Sequence, residues 1–435
     1  MPMQKDITSG MRQRDKDGRW TMFATICIGI AVPAVIFGRA TIMTFLAAPI
    51  LAAILRKDIK LFQFAHDILN QNRVLGIAAA VTIFFWLMSS INSIEMTKSL
   101  GTWARTLAIV ALGVIITAYL TPSRRRLDLS LKSLILTSFS VLTLYAIFSV
   151  YIHPAPFEIF QFFKGPNSIL LQTLKPYHSV AACILPIIVW AGFRLGSVYK
   201  VLSLLSIPLT FLLIYGKGIQ TGLSALFGLS GAALIVSLIM ALKCLPILYI
   251  RVFVIAIFVV IISGAIYLIN GLPTPPVSLS QLPELPLPDW HRQVIWGFTV
   301  EVIKSTPFFG VGPNTINLLP GAKELIPGLN QEYIPSHPHN WLFEIAAETG
   351  LIGLTVFLFA FFLAIKALIG RAIENDNEAL AATALFAAFW VSSLANFSIW
   401  STWWLAVFAV LVSFPLAAMI AEHRRAKDQQ NFRSP

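Results

Sequence analysis

The residue types best suited to chemistry gather in the stretch "SHPHNWLFEIAAETGLIG", Ser336 to Gly353. Two imidazoles, His337 and His339, introduce a short run that ends in glycine. Imidazole is the side chain whose ordinary pKa lies nearest neutrality, so it exchanges protons readily there. His337 precedes a proline and is therefore biased towards extended backbone. Proline suits the first helical position, so the spacing predicts a short helix from Pro338 to about Thr349, with Gly350 as its stop. His339 and Asn340 then fall in the first turn, where the positive end of the helix dipole disfavours imidazolium. A neutral imidazole so placed could take a proton from a hydroxyl group. An interfacial polar cap on a re-entrant helix fits the same residues equally well.

The elements that must position this stretch are membrane helices. The chain has 435 residues, 57% of them hydrophobic and only 12% charged, with a mean hydropathy of +0.77. Soluble domains carry about 25% charge. Apolar runs long enough to cross a hydrocarbon core of ~30 Å recur along the whole length. The expected fold class is an all-α integral membrane protein with about 12 transmembrane helices and one large outer loop containing short helices. The spans read roughly 20–38, 40–55, 75–93, 104–121, 130–151, 177–194, 201–215, 222–242, 249–270, 350–370, 378–397 and 402–421. Three cysteines in or beside spans (Cys27, Cys183, Cys244) imply no disulfide framework. The first apolar run follows a basic segment, lacks a small-residue cleavage site and continues into another span, so it reads as a retained helix.

A net charge of +12 could suggest a nucleic-acid binder. Its distribution points to topology instead. With the N-terminus cytoplasmic, about 23 basic residues fall inside and about 9 outside, the bias that orients membrane proteins. The same parity leaves 271–349 outside, as a loop between spans 1–9 (residues 1–270) and spans 10–12 with the C-terminal tail (residues 350–435). That loop opens with prolines at 273, 275, 276, 283, 286 and 288, which favour a stiff, extended path. "DWHRQVIWGFTVEVIKSTP" then reads as an amphipathic helix, with Asp289 as its cap and Pro307 as its stop. No metal site is expected. His337 and His339 lack further ligands, and the outer acids Glu95, Glu158, Glu284, Asp289 and Glu324 are scattered.

His339 and Asn340, nine residues, Gly350, two residues and Gly353 together resemble the signature of the O-antigen ligase and polymerase superfamily, which members carry in a large periplasmic loop before a transmembrane helix. "PFFGVGPN" (Pro307–Asn314) resembles the family's turn upstream of that histidine, and "RQVIW" (Arg292–Trp296) its Arg-x-x-x-Trp element. The chain departs in having Leu354 after the second glycine. It also has "YGKGIQTGLSALF", with Lys217 and Gln220, where many members carry an arginine in the short loop before the eighth span.

The resemblance implies transfer of a polysaccharide from undecaprenyl diphosphate to a sugar hydroxyl, with a lipid A–core as the first-choice acceptor. It places the protein in a bacterial inner membrane with the active site facing the periplasm, and it implies an inverting transfer without cofactor or metal. His339 would be the base. The polyprenyl diphosphate leaves without an acid but needs cations where little water screens it. Arg292, Lys217 and Arg39 are the candidates for that task. His337, Asn340, Gln220, Trp296 and His178 (in "LKPYHSVAA") would contact sugar or support the site, and Glu348 would cap or brace the helix. A polymerase and a protein-glycosylating oligosaccharyltransferase share the motif and differ in acceptor. A transporter of lipid-linked oligosaccharide fits less well, because transporters place charges at mid-membrane in repeated halves. Here one outer loop holds nearly all the chemistry-capable residues.

Overall fold

The structure, a computed structural model, describes residues 18–56, 59–161, 170–215, 219–276, 290–328 and 330–433. Its described part is helical, with one isolated β-bridge between Leu325 and Glu332. Two apolar helices come first, α1 (Arg19–Ala31) and α2 (Thr41–Leu55), joined through the 3-10 turn Pro33–Phe37. A short amphipathic helix, α3 (Leu61–Gln71), leads into α4 (Arg73–Ile91) and α5 (Met96–Leu120). Next is α6 (Arg124–Tyr151), which contains a π-helical stretch at Val141–Ile147. After the short α7 (Ala155–Gln161) come α8 (Leu170–Leu195), α9 (Ser197–Tyr215), α10 (Ile219–Cys244) and α11 (Ile247–Gly271). Helix α12 (Trp290–Ser305) lies in the long connection, and α13 (Trp341–Ile373), α14 (Asn377–Ser392) and α15 (Thr402–Arg433) follow it.

Among the described residues, nine helices are long and apolar enough to cross a membrane: α4, α5, α6, α8, α9, α10, α13, α14 and α15. The three other stretches read as spans from the sequence are shorter apolar helices: α1, α2 and the Ile255–Gly271 part of α11. A chain whose backbone groups are paired within helices, and whose outer faces carry Leu, Ile, Val and Phe, is built for a solvent that offers no hydrogen bonds. The protein is accordingly a multi-pass membrane protein.

The interior gathers around α8, α14 and α15, the spans with the largest buried share. Helix α10 packs along α14, α8 against α9 and α10, α5 against α15, and α4 against α13. Trp404, Tyr119, Tyr177 and Phe389 are fully enclosed there. Because α8 and α14 run in opposite directions, the first turns of α8 and the last turn of α14 meet at one end of the bundle. A hydrogen bond between Asn396 and Ser179 closes that meeting at 2.8 Å. His339, just before α13, reaches the same end through the Asn396 carbonyl.

The expected amphipathic helix is present as α12, ending two residues before Pro307. Asp289 and the later prolines, 283, 286 and 288, lie outside the described residues.

Candidate active site

The local structure around His339 differs from the expected helix start. Helix α13 begins at Trp341, three residues later than Pro338. Asn340 is its N-cap: the backbone is extended and the side-chain oxygen accepts the N–H groups of Leu342 at 3.0 Å and Phe343 at 3.4 Å. Asparagine is among the best residues for that task, and it ends the competition with proline for the first helical position. The preceding chain is turned away. The Pro338 carbonyl accepts the indole N–H of Trp296 at 2.9 Å, and His339 adopts a left-handed φ of +56°. Trp296 is therefore a buried prop beneath the turn, tilted against Phe343.

Gly350 does stop the short helix. Its φ of +70° and ψ of 173° lie in a region essentially reserved for glycine, and they break α13 into a half-helix and a span. The break frees carbonyls that must find partners. The turn 307–314 supplies them: Val311 N–H reaches the Ala347 carbonyl at 3.0 Å, and Gly312 N–H reaches that of Glu348 at 2.8 Å. Ser89 adds a third donor, its hydroxyl bonding the Glu348 carbonyl at 2.7 Å. In return Leu351 N–H bonds the Pro307 carbonyl at 2.7 Å. A Cβ at Gly350 would stand 2.0 Å from the Phe308 carbonyl oxygen. Gly353, one turn on, sits against Thr349 and Trp86. The two sequence elements singled out separately, "PFFGVGPN" and the His–Gly–Gly spacing, are thus one docked unit.

Two buried carboxylates lock that unit to its neighbours. Glu348 accepts the backbone N–H groups of Asn314 (2.6 Å), Thr315 (3.0 Å) and Ile316 (3.0 Å), and a short bond from the indole of Trp400. It caps the 3-10 turn Ile316–Leu318 as well as bracing its own helix. Glu344, one turn earlier, accepts the Ser398 hydroxyl and Ile399 N–H. Through these bonds segment 393–401, between α14 and α15, is fixed beside the histidines.

The imidazoles have opposite hydrogen-bonding polarity. His339 Nδ1 lies 3.0 Å from the Asn396 carbonyl, an acceptor only, so Nδ1 carries the proton and Nε2 keeps its lone pair. His337 Nδ1 accepts the backbone N–H of His339 at 3.1 Å, so its proton is on Nε2. The rings lie 4.0 Å apart. Burial pushes the His339 pKa down to about 4; the Asn396 carbonyl opposes that, while Arg292, Lys175 and His291 add to it. His337 is held well below the usual imidazole range by burial, then by His339, Arg292, Lys175 and Arg39. Both rings are neutral at pH 7. The lowering expected at a helix start is present, but burial and neighbouring cations cause it.

Arg292 (α12) and Arg39 are therefore both near the histidines. Arg39, just before α2, stacks its guanidinium 5.6 Å from the Phe397 ring centre and 5.3 Å from that of Trp403. It is tied to the same segment that holds His339. Lys217 lies outside the described residues, as does the side chain of Gln220. His178 is buried on α8 beside Ser179, the residue that receives the Asn396 amide. Among the described residues no group of three or more His, Cys, Asp or Glu side chains converges as a metal ion needs.

Sequence reasoning missed Lys175, His291 and Asn396. Lys175 stands one helical turn before Ser179, inside the "LKPYHS" stretch singled out for its histidine alone. His291 neighbours Arg292, with Nε2 on the Glu332 carbonyl at 2.8 Å. Asn396 carries no local signal.

At one end of an apolar helix bundle, Arg292, Lys175 and Arg39 thus act on two neutral imidazoles. Residues 205–358 match the family model described as O-antigen ligase. A candidate polysaccharide ligase of Rickettsia conorii is 30% identical over 118 residues, covering 26% of this chain and 28% of the relative. One from Rickettsia bellii is 32% identical over 119 residues, 27% of this chain and 29% of the relative. The chain thus spans under a third of the length of the relatives it matches. Over residues 205–358 the chain is thus similar to the O-antigen ligase family.

Proposed function

We propose that this protein is an O-antigen ligase. It transfers a polysaccharide from undecaprenyl diphosphate to a sugar hydroxyl of lipid A–core at the periplasmic face of the inner membrane. The observation that carries the reading is His339: a neutral imidazole with Nδ1–H tied to a carbonyl, its Nε2 lone pair available, beside Arg292 and Arg39.

In the reaction, Nε2 takes the acceptor hydroxyl proton as that oxygen bonds to the anomeric carbon. The bond from that carbon to the phosphate oxygen breaks on the opposite face, so the configuration inverts, and the diphosphate departs with the electron pair. Arg292 binds phosphate oxygens bidentately, and Lys217 and Arg39 contribute further positive charge. His337 offers Nε2–H to a sugar or phosphate oxygen. A base with a pKa of about 4 is weak for a hydroxyl. A bound diphosphate raises it by offsetting the neighbouring cations, which add to the burial that causes most of the lowering.

The test incubates the purified full chain with undecaprenyl-diphosphate-linked polysaccharide and lipid A–core, without added metal, for wild type and His339→Ala. Wild type should give transfer to the acceptor, and the variant should lose it by about 10²–10⁴-fold. Donor chains that grow by joining one another would identify a polymerase. Absence of product from wild type, or transfer abolished by chelator and restored by a divalent ion, would overturn the respective part of the reading.

A further inference from the structure

Segment 393–401 has no sequence feature that announces a role, yet its Asn396 makes the contact that decides what His339 can do. The backbone carbonyl of Asn396 receives the Nδ1 proton of His339. Asn396 is 3% exposed, and its side-chain amide bonds the hydroxyls of Ser179 on α8 at 2.8 Å and Ser392 on α14 at 3.2 Å. Ser179 is in turn 3.1 Å from the Ser224 hydroxyl on α10. A backbone carbonyl in a connecting segment would ordinarily be free to swing. This one is held at the junction of three helices through its own side chain.

We propose that Asn396 is the positioning residue of the site: its main chain sets the tautomer and orientation of His339, and its side chain holds that main chain against α8 and α14. The proposal rests on His339 acting as the base. The rotation it prevents matters because either imidazole nitrogen can carry the proton. With Nδ1 unprotonated, Nε2–H would face the acceptor hydroxyl as a donor, and the base would be lost. The carbonyl also favours the imidazolium that forms during transfer, against burial and the opposing influence of Arg292 (α12), Lys175 (α8) and His291. Glu344 of α13 fixes the far side of the segment through Ser398 and Ile399.

Nitrogen-15 NMR of the full chain labelled at histidine, with His339→Gln as the assignment control, reads the tautomer without any turnover. Wild type should show His339 protonated on Nδ1 alone at pH 7. Asn396→Ala should mix the tautomers and lower kcat by up to about 10²-fold, the effect of a small misplacement of a reacting group, with the donor KM within twofold. Asn396→Asp should keep both, since its carboxylate can accept from the two serine hydroxyls. Its added negative charge should move the acid limb of the pH profile upward. If Asn396→Ala does not fold, Ser179→Ala removes one anchor from α8 and should mix the tautomers in the same direction, by less.

Wild-type His339 protonated on Nε2 overturns the proposal. So does an unchanged His339 spectrum in Asn396→Ala, or in Ser179→Ala where that variant stands in for it. If the spectra behave as expected while His339→Ala retains full transfer, the base assignment fails and the positioning of His339 by Asn396 stands.

Discussion

The two ends of the helix bundle use their charged side chains differently. At the end away from the histidines, cations are met by carboxylates. Arg194, at the close of α8, lies 3.0 Å from Glu378, 3.6 Å from Asp128 and 3.8 Å from Glu422, joining four helices. Arg371 pairs with Asp376 at 2.7 Å, and the same aspartate caps α14. At the histidine end the buried Glu344 and Glu348 are occupied by backbone N–H, hydroxyl and indole donors. There burial, and after it Arg292, Lys175 and Arg39, hold the imidazoles neutral. One end is a clamp of ion pairs, and at the other the cations act on neutral imidazoles. The same residue types therefore hold helices together in one place and tune the imidazoles in the other.

The largest effect should come from breaking the buried brace at the histidine end. Glu348→Ala leaves three backbone N–H groups and an indole without their acceptor, at about 1–3 kcal/mol for each group that finds no other partner. Thermal unfolding in detergent should fall steeply and take activity with it. Arg292→Gln removes charge without removing bulk. Transfer should drop on the order of 10–100-fold, through the one or two charge-assisted bonds lost to phosphate, while unfolding stays within a few degrees of wild type. An equal loss of stability would make Arg292 another clamp and erase the contrast between the ends.

Acidification sharpens the comparison further. The free enzyme keeps His339 neutral down to about pH 4, so kcat/KM should hold on acidification until that region and then fall. The donor-bound complex has its cations offset, so the acid limb of kcat should lie higher. Coincident limbs would show that the cations do not meet the diphosphate. The smallest effect is expected from Arg194→Gln. Loss of its partly exposed pairs should cost about 1 kcal/mol of stability, with kcat unchanged. A change in kcat there would mean that the clamp reaches the site.

Much of the frame was legible because lipid imposes it: long apolar runs have few alternatives to helices. Gly350 was legible as a helix stop, since the rule is local, and Glu348 as a brace, since a carboxylate in a short apolar helix needs donors. The helix start was misread because proline was weighted above asparagine, although Asn340 is the stronger cap. Lys175 and Asn396 were illegible for a different reason. Each owes its place to the meeting of α8, α14 and the histidine loop, whose partners lie more than fifty residues away in sequence. Hydrogen-bond rules for single segments contain no information about such meetings.

The docking of the 307–314 turn onto the broken α13 has a consequence for the molecule's slow motions. Amide hydrogens in an irregular surface turn ordinarily exchange with solvent quickly. Those of Val311, Gly312 and Leu351 are instead bonded across the break to Ala347, Glu348 and Pro307. They should exchange as slowly as amides in the surrounding spans, and all three should open together, since releasing one strands the others. The same interlocking limits transplantation. A histidine loop moved into another helical scaffold would have to bring its glycine turn along, because neither piece can satisfy its backbone alone.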